Sequence, residues 1–90
     1  MIRVRIYVSG IVQGVFFRDF TRRKAQGLKI KGWVRNLPDG RVEAVGEGEE
    51  ENIREWIRHL RKGPPGAKVD NLEINYEEVK GDFQSFSILY

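Results

Sequence analysis

The sequence predicts an α+β sandwich in which two amphipathic helices cover one face of an antiparallel β-sheet. Short segments in which apolar and polar residues alternate have the period of half-buried strands. Two longer segments carry apolar residues at helical spacing, which is the pattern of a helix that packs on a core. The segments follow one another as strand, helix, strand, strand, helix and strand, with a short extra strand at the C-terminus. This βαββαβ order predicts a ferredoxin-like fold.

The predicted strands are short and are bounded by turn residues or helices. The first is the clearest, because Ile2, Val4, Ile6 and Val8 alternate with polar residues. Residues 37–40, Leu-Pro-Asp-Gly, have strong turn chemistry and predict a hairpin between the second and third strands. The strands are predicted at residues 2–9, 31–36, 41–47, 72–76 and 86–90.

The two helices are predicted from apolar residues three and four positions apart. The first begins at Phe17, and Gly27 near its end is predicted to cap it. The second begins at the three glutamates 49–51 and is stopped by Gly63 and the two prolines after it. The apolar positions are Phe17, Thr21, Ala25 and Leu28 in the first helix and Ile53, Trp56, Ile57 and Leu60 in the second.

The predicted topology brings two distant parts of the chain together. The handedness of crossover connections makes the first and second strands parallel, with the third strand between them. The loop after the first strand and Asn36, at the end of the second, therefore lie at the same edge of the sheet. With one strand between them, their separation is about 10 Å.

The segment from Val8 to Arg18, which joins the first strand to the first helix, predicts an anion site. Its glycines let the chain turn tightly, and the N–H groups at the start of a helix have no intrahelical acceptor. Together with the positive end of the helix dipole, these donors attract anions. Arg18 adds a planar, permanently charged fork of donors. The other interpretation is a tight connection whose arginine points into water, and the pattern alone does not decide between them.

Two motifs resemble those of the acylphosphatase family. Residues 8–18, with Val-Ser-Gly, Val-Gln-Gly-Val and Phe-Arg in that order, resemble its signature loop. Residues 32–36, Gly-Trp-Val-Arg-Asn, continued by Asp-Gly-Arg-Val-Glu at 39–43 and by Gly48, resemble its second signature. The resemblance covers essentially the whole chain and implies a single domain over residues 1–90. The chain departs from the family at Lys29, where the family usually has glycine.

This resemblance implies hydrolysis of acyl phosphates to a carboxylate and inorganic phosphate. In that family the arginine that matches Arg18 holds the phosphoryl group, and the asparagine that matches Asn36 orients the attacking water. The Asn36 amide has a donor and an acceptor, so it can hold water without titrating. Taken alone, Asn36 is more readily interpreted as the residue that starts the following turn. The implied phosphate-binding loop consists of Gln13, Gly14, Val15, Phe16, Phe17 and Arg18.

The amino-acid composition limits which catalytic groups and ligands the protein can use. The chain has no cysteine and one histidine, so we expect no thiol chemistry, no metal and no cofactor. The net charge of +3 fits an anionic ligand. The expected partners are a small acyl phosphate and inorganic phosphate, as product and competitor, without a membrane or a specific nucleic acid.

The N-terminus enters a strand directly, which predicts a cytoplasmic protein. One methionine and 32% charged residues are compatible with a heat-adapted source.

Two other functions are compatible with the predicted fold and charge. One is RNA recognition, although the Lys/Arg-Gly-Phe-Gly-Phe type of strand motif is missing. The other is phosphate binding without turnover. Glu43 and Glu47 are interpreted as ordinary sheet-face carboxylates, and His59 as a surface or half-buried residue rather than a base. Trp33 and Trp56 are interpreted as packing residues rather than a platform for bases.

Overall fold

The computed structural model describes all 90 residues and has the predicted order of elements. Five strands and two helices follow one another in the βαββαβ order, with the extra strand at the end. Neither helix combines the length and the apolar character that a membrane crossing requires. The elements are β1 (Ile2–Ile11), α1 (Phe17–Gly27), β2 (Lys31–Asn36), β3 (Val42–Gly48), α2 (Glu50–Lys62), β4 (Lys68–Glu77) and β5 (Phe86–Leu89).

The five strands form one sheet in the order β4-β1-β3-β2-β5. Because β3 pairs antiparallel with both β1 and β2, those two strands are parallel to each other, as predicted. The sheet is mixed rather than wholly antiparallel, since β5 pairs parallel with β2. The connection after β4 runs along one end of the strands to the other side of the sheet, so β5 starts at the end where β4 finishes and runs antiparallel to β4. The carboxyl ends of β1, β2 and β5 consequently lie together at the opposite end of the strands, which is the sheet edge that carries the site.

The core lies between the helices and one face of the sheet. Trp56 of α2 is fully buried, packs edge-on against Phe86 at 5.6 Å between ring centroids, and donates from Nε1 to the Thr21 carbonyl at 3.2 Å. A Cβ at Gly46 would lie 2.6 Å from the Trp56 ring, so the absence of a side chain there lets α2 approach β3. Trp56 therefore joins α2 to α1 and to the sheet, as its place in the apolar stripe predicted.

The end of α1 is built around Lys29 rather than Gly27, which corrects the predicted cap. Lys29 has φ 58°, in the left-handed region, whereas Gly27 does not have positive φ. The Ile30 N–H donates to the Ala25 carbonyl at 2.8 Å, and the Lys29 N–H to Gln26 at 3.2 Å. These two bonds are those of a Schellman motif with its left-handed residue at position 29. A glycine at 29 would adopt this conformation without the penalty that a Cβ brings.

We therefore expect Lys29→Gly to raise the free energy of unfolding by about 1 kcal/mol. For a domain of this size, that change corresponds to a rise in Tm of about 4–8 °C. Thermal unfolding of the two proteins measures it. Lys31→Gly, at an exposed strand position two residues away, is the matched control and should lower Tm because it weakens a strand. An unchanged or lowered Tm for Lys29→Gly would contradict the assigned cap.

The face of the sheet without helices carries a network of arginines and buried carboxylates. Glu43 and Glu47 of β3 lie on this face, as predicted, but their residues are only 2% and 3% exposed. Glu43 accepts from Arg5 and from Arg35, the latter at 2.7 Å. Glu47 accepts from Arg3 at 3.0 Å. These carboxylates are therefore buried ion-pair partners, because arginines of β1 and β2 flank β3 on both sides.

The network also holds the connection between β4 and β5. The backbone N–H groups of Lys80 and Gly81 donate to Glu47 at 3.0 and 3.2 Å. Arg3 approaches Asp82 at 3.4 Å, and its guanidinium carbon lies 4.6 Å from the centroid of the Phe83 ring. The connection is thus anchored across the sheet, which in turn places β5 beside β2.

The network predicts a loss of stability in acid. Burial by itself raises the pKa of Glu43 and Glu47, but hydrogen bonds from arginines and from the Lys80 N–H hold both pKa values below the ordinary value. The pKa of Glu77 is also lowered, mainly by the hydrogen bond from Arg5. A carboxylate with a lowered pKa in the folded state contributes stability above the ordinary pKa, and that contribution is lost as the pH falls through the lowered value.

We therefore expect the free energy of unfolding to decrease progressively as the pH falls below about 4.3, the ordinary pKa of glutamate. Urea unfolding at several pH values between 7 and 3 measures this. Glu47→Gln should lower stability at pH 7 and flatten its dependence on pH. Glu51→Gln, at an exposed position at the start of α2, is the control and should leave the slope unchanged. A stability that does not change between pH 5 and 3 would contradict the role of the network.

Candidate active site

The loop between β1 and α1 has the backbone geometry of an anion cradle. Gly14 has φ 76° and Phe16 has φ 62°, while Val15 between them is not in the positive region. Alternation of this kind turns successive N–H groups toward one side of the chain. Phe16 adopts the left-handed conformation although it is a bulky residue, and the residue is 84% exposed. Both features are unfavourable for stability, which is typical of a backbone shaped for a ligand.

The start of α1 adds further free donors to this loop. The helix begins at Phe17, and no side chain caps it. The backbone bond from the Phe20 N–H to the Phe16 carbonyl, 3.0 Å long, closes its first turn. The N–H groups that precede Phe20 have no acceptor within the helix. Residues 13–18, predicted as the phosphate-binding loop, thus contain the donors that an anion requires.

Arg18 lies in the first turn of α1 and stacks on an aromatic ring. Its guanidinium carbon is 4.8 Å from the centroid of the Tyr90 ring. None of the ion pairs in the structure includes Arg18, whereas its neighbours Arg22 and Arg23 both pair with Asp19. A guanidinium that has no acceptor within the protein keeps its donors available for an anion.

Asn36 is the last residue of β2 and shares the helix-covered face of the sheet with Gly32 and Val34. It pairs in register with Val42 of β3. Its Oδ1 atom is buried and accepts no hydrogen bond from the protein. Buried polar atoms are nearly always hydrogen-bonded, so an unsatisfied one at the mouth of a cavity indicates a place where a ligand or water binds.

Arg18 and Asn36 line the same cavity, as the predicted topology requires. The cavity has a volume of about 340 Å³ and is open to solvent at the sheet edge. The only acidic side chain in its lining belongs to Asp19, which is already paired with Arg22 at 2.8 Å and Arg23 at 2.9 Å. The cavity is lined by Val12, Gly14, Phe16, Phe17, Arg18, Asp19, Asn36, Ile88 and Tyr90.

Ile88 and Tyr90 also line this cavity, which the sequence pattern did not predict. Alternation along the last strand places Phe86, Ile88 and Tyr90 on one face, so the pattern contained part of the signal. The missing part was the parallel pairing of β5 with β2, in which Val34 is opposite Ile88. That pairing brings the chain after β5 to the edge where Asn36 lies.

The remaining candidates lie away from the cavity. His59 is half-buried on α2 and faces Glu55 at 3.4 Å, in agreement with the prediction of a surface or half-buried residue. Trp33 lies on the helix-free face, with the guanidinium carbons of Arg5 and Arg35 at 5.7 and 5.2 Å from its ring. Both arginines are paired with Glu43, so this face is not a free basic surface.

Known proteins resemble the chain in sequence and in structure. The acylphosphatase family model matches residues 4–88. An acylphosphatase of Rubrobacter xylanophilus is 55% identical over 86 residues, which are 96% of this chain and 78% of that protein. An acylphosphatase of Syntrophotalea carbinolica is 51% identical over 89 residues, 99% of this chain and 97% of that protein. The crystal structure of acylphosphatase from Bacillus subtilis matches with a TM-score of 0.97 at 38% identity, and the match covers 100% of both chains.

The fold and the loop at the sheet edge define a ferredoxin-like α+β protein with a cavity at the end of β1. Within that class, the match to the family model and to relatives of about 50% identity is decisive. The chain belongs to the acylphosphatase family. This assignment does not favour RNA recognition or phosphate binding without turnover.

Proposed function

We propose that this protein hydrolyses acyl phosphates, with residues 1–90 acting as one domain. Water attacks the phosphorus atom, the bond between phosphorus and the carboxyl oxygen breaks, and a carboxylate and inorganic phosphate leave. The observation that carries the proposal is the single cavity that holds free loop N–H donors, the Arg18 guanidinium and the unsatisfied Oδ1 of Asn36. Membership of the acylphosphatase family supports it.

The loop and Arg18 are proposed to bind the phosphoryl group. Transfer of a phosphoryl group requires little covalent chemistry from a protein, and most of the catalysis comes from positioning and from stabilisation of charge. The N–H groups of residues 13–18 and the guanidinium supply donors aimed at the phosphoryl oxygens. The ring of Tyr90 contacts that guanidinium, with 4.8 Å between the guanidinium carbon and the ring centroid.

Asn36 is proposed to position the attacking water. Its Oδ1 accepts a hydrogen bond from the water, and this satisfies an acceptor that the fold leaves unpaired. An amide is not a base, so Asn36 orients the water without taking its proton. The proton that the water loses passes to a phosphoryl oxygen and stays with the inorganic phosphate, and the leaving carboxylate is weakly basic and needs no proton to depart.

The test of the proposal is turnover of a simple acyl phosphate. Purified protein should hydrolyse benzoyl phosphate in the presence of a chelator, because the charge of the transition state is stabilised by protein donors. Inorganic phosphate should inhibit competitively, since it binds the same loop. An activity that disappears with chelator and returns with magnesium would contradict the assigned site, and so would non-competitive inhibition by phosphate.

Three predictions from the sequence accompany this proposal, beside the alternative of phosphate binding without turnover. Non-catalytic phosphate binding would give phosphate affinity without turnover, so the same assay separates it from the enzyme. No specific nucleic acid partner is expected, because the arginines beside Trp33 are paired with Glu43. Binding to single-stranded RNA should therefore be weak and should decrease steeply with salt. A cytoplasmic location and a heat-adapted source also stay predictions from the sequence.

A further inference from the structure

Gln13 connects the phosphate-binding loop to the hairpin that follows Asn36. Its side-chain nitrogen, Nε2, donates to the Leu37 carbonyl at 2.8 Å and to the Arg41 carbonyl at 3.0 Å. Leu37 follows Asn36 directly in the chain, and Arg41 precedes β3. One side chain of the loop is therefore bonded to both ends of the connection that follows Asn36.

The chemistry of the hairpin fixes the orientation of this amide. Carbonyl oxygens only accept hydrogen bonds, so the end of Gln13 that faces two of them must be the NH₂ group. The same carbonyls take part in the turn itself, because the Leu37 N–H donates to Arg41 at 2.8 Å and the Gly40 N–H donates to Leu37 at 3.2 Å. Gln13 thus inserts both of its N–H donors at the base of the turn.

The sheet alone connects the two halves of the site only indirectly. β1, which precedes the loop, and β2, which ends at Asn36, are separated by β3. The Asn36 Oδ1 accepts no bond from the protein, so its position depends on the backbone that carries it. The contact from Gln13 to Leu37 is a direct link between that backbone and the loop, across the strand that separates them.

We propose that Gln13 is a positioning residue that sets the place of Asn36 relative to the bound phosphoryl group. The inference rests on the proposed function, in which Asn36 orients the attacking water. It assigns the Gln13 side chain a task different from that of its backbone N–H, which belongs to the phosphate-binding loop. Loss of the side-chain link should displace the water from the phosphorus atom while the loop keeps its affinity for phosphate.

The test is a double-mutant cycle with Gln13→Met and Asn36→Ala. Methionine keeps the length of the side chain and removes both donors. We expect Gln13→Met to lower kcat for benzoyl phosphate by about tenfold to a hundredfold, since small misplacements of reacting groups have effects of this size. The inhibition constant of inorganic phosphate should stay within about twofold of wild type. In the Asn36→Ala background, Gln13→Met should have almost no further effect on kcat, because both changes remove the same interaction.

Each outcome of the cycle decides a different question. A full additional loss in the Asn36→Ala background would overturn the inference and leave the proposed function standing. A loss of phosphate affinity in Gln13→Met as large as the loss of kcat would also overturn the inference and leave the proposed function standing. If Asn36→Ala itself had wild-type kcat, the proposed role of Asn36 would be wrong. Gln26→Met, at an exposed position near the end of α1, is the matched control and should behave as wild type.

A second measurement does not depend on turnover. If the Gln13 bonds hold the base of the turn, Gln13→Met should speed hydrogen exchange at the Leu37 and Gly40 N–H groups by about tenfold. Exchange within β1 and β3 should be unchanged, which shows that the variant is folded. Unchanged exchange at Leu37 and Gly40 would overturn the inference even if the enzyme were inactive for another reason.

Discussion

Arg18→Lys is expected to lower kcat/KM for benzoyl phosphate by about a hundredfold, and Arg18→Ala by about a thousandfold or more. The guanidinium lies in the cavity, with its carbon 4.8 Å from the centroid of the Tyr90 ring and its donors unpaired within the protein. It can bind the phosphoryl oxygens through two parallel bonds before and during the reaction. An ammonium group supplies charge without that planar geometry, so lysine should not replace it.

The expected loss at Arg18 appears in both kinetic constants. Because the guanidinium contacts the phosphoryl group in the ground state and in the transition state, KM should rise and kcat should fall. Phosphate inhibition should weaken in parallel with the rise in KM. The measurement is kcat, KM and the phosphate inhibition constant of each variant. An Arg18→Ala variant with wild-type phosphate inhibition would contradict the assigned role.

The control separates chemistry from folding. Arg18 takes part in no ion pair, so its removal leaves no carboxylate unpaired. The stack on exposed Tyr90 contributes about 0.5–1 kcal/mol by the usual measure of exposed cation–π contacts. Both variants should therefore remain folded, with Tm close to that of wild type. Arg61→Lys, at an exposed position near the end of α2, makes the same change away from the cavity and should keep full activity.

The fold was predictable because most of its signals are local. Strand and helix periods are set by which face of each element is buried, and the crossover rule then places β3 between β1 and β2. The position of β5 was not predictable in this way. Its place beside β2 depends on the connection held by Glu47 and Arg3, which are distant from it in sequence. Ion pairs between residues distant in the chain do not produce a periodic pattern in the sequence.

That Arg18 and Asn36 line one cavity was also predictable, but the surroundings of these residues were not. Arg18 and Asn36 follow from the glycine loop, the parallel strands and the resemblance to a family. Tyr90 and the side-chain bonds of Gln13 depend on which elements become neighbours, so the chain pattern alone does not show them. The cap at Lys29 is a different case, because helical spacing ends within a residue or two of its true position and does not reveal which residue takes positive φ.

Asn36→Ala is expected to lower kcat by about a hundredfold to a thousandfold and to leave phosphate inhibition within about twofold of wild type. The amide is proposed to hold the attacking water, a contact that matters on the way to the transition state rather than for binding. The fold itself gains nothing from the Oδ1 atom, which is buried without a hydrogen bond from the protein. Removing it leaves no partner unsatisfied, so we expect Tm to be equal to that of wild type or higher.

Asn36→Asp is expected to weaken phosphate binding, in contrast to Asn36→Ala, and so tests whether the cavity binds an anion beside residue 36. It preserves the shape of the side chain but places a negative charge beside the phosphoryl group, so KM and the phosphate inhibition constant should both rise. Asn71→Ala, at an exposed position on β4, is the matched control and should have wild-type kinetics. The combination of lowered kcat, retained phosphate affinity and unreduced stability in Asn36→Ala is the result expected of a residue that positions water. If Asn36→Ala were fully active, or inactive only because it unfolds, Asn36 would not have that role and the water would have to be held by another group in the cavity.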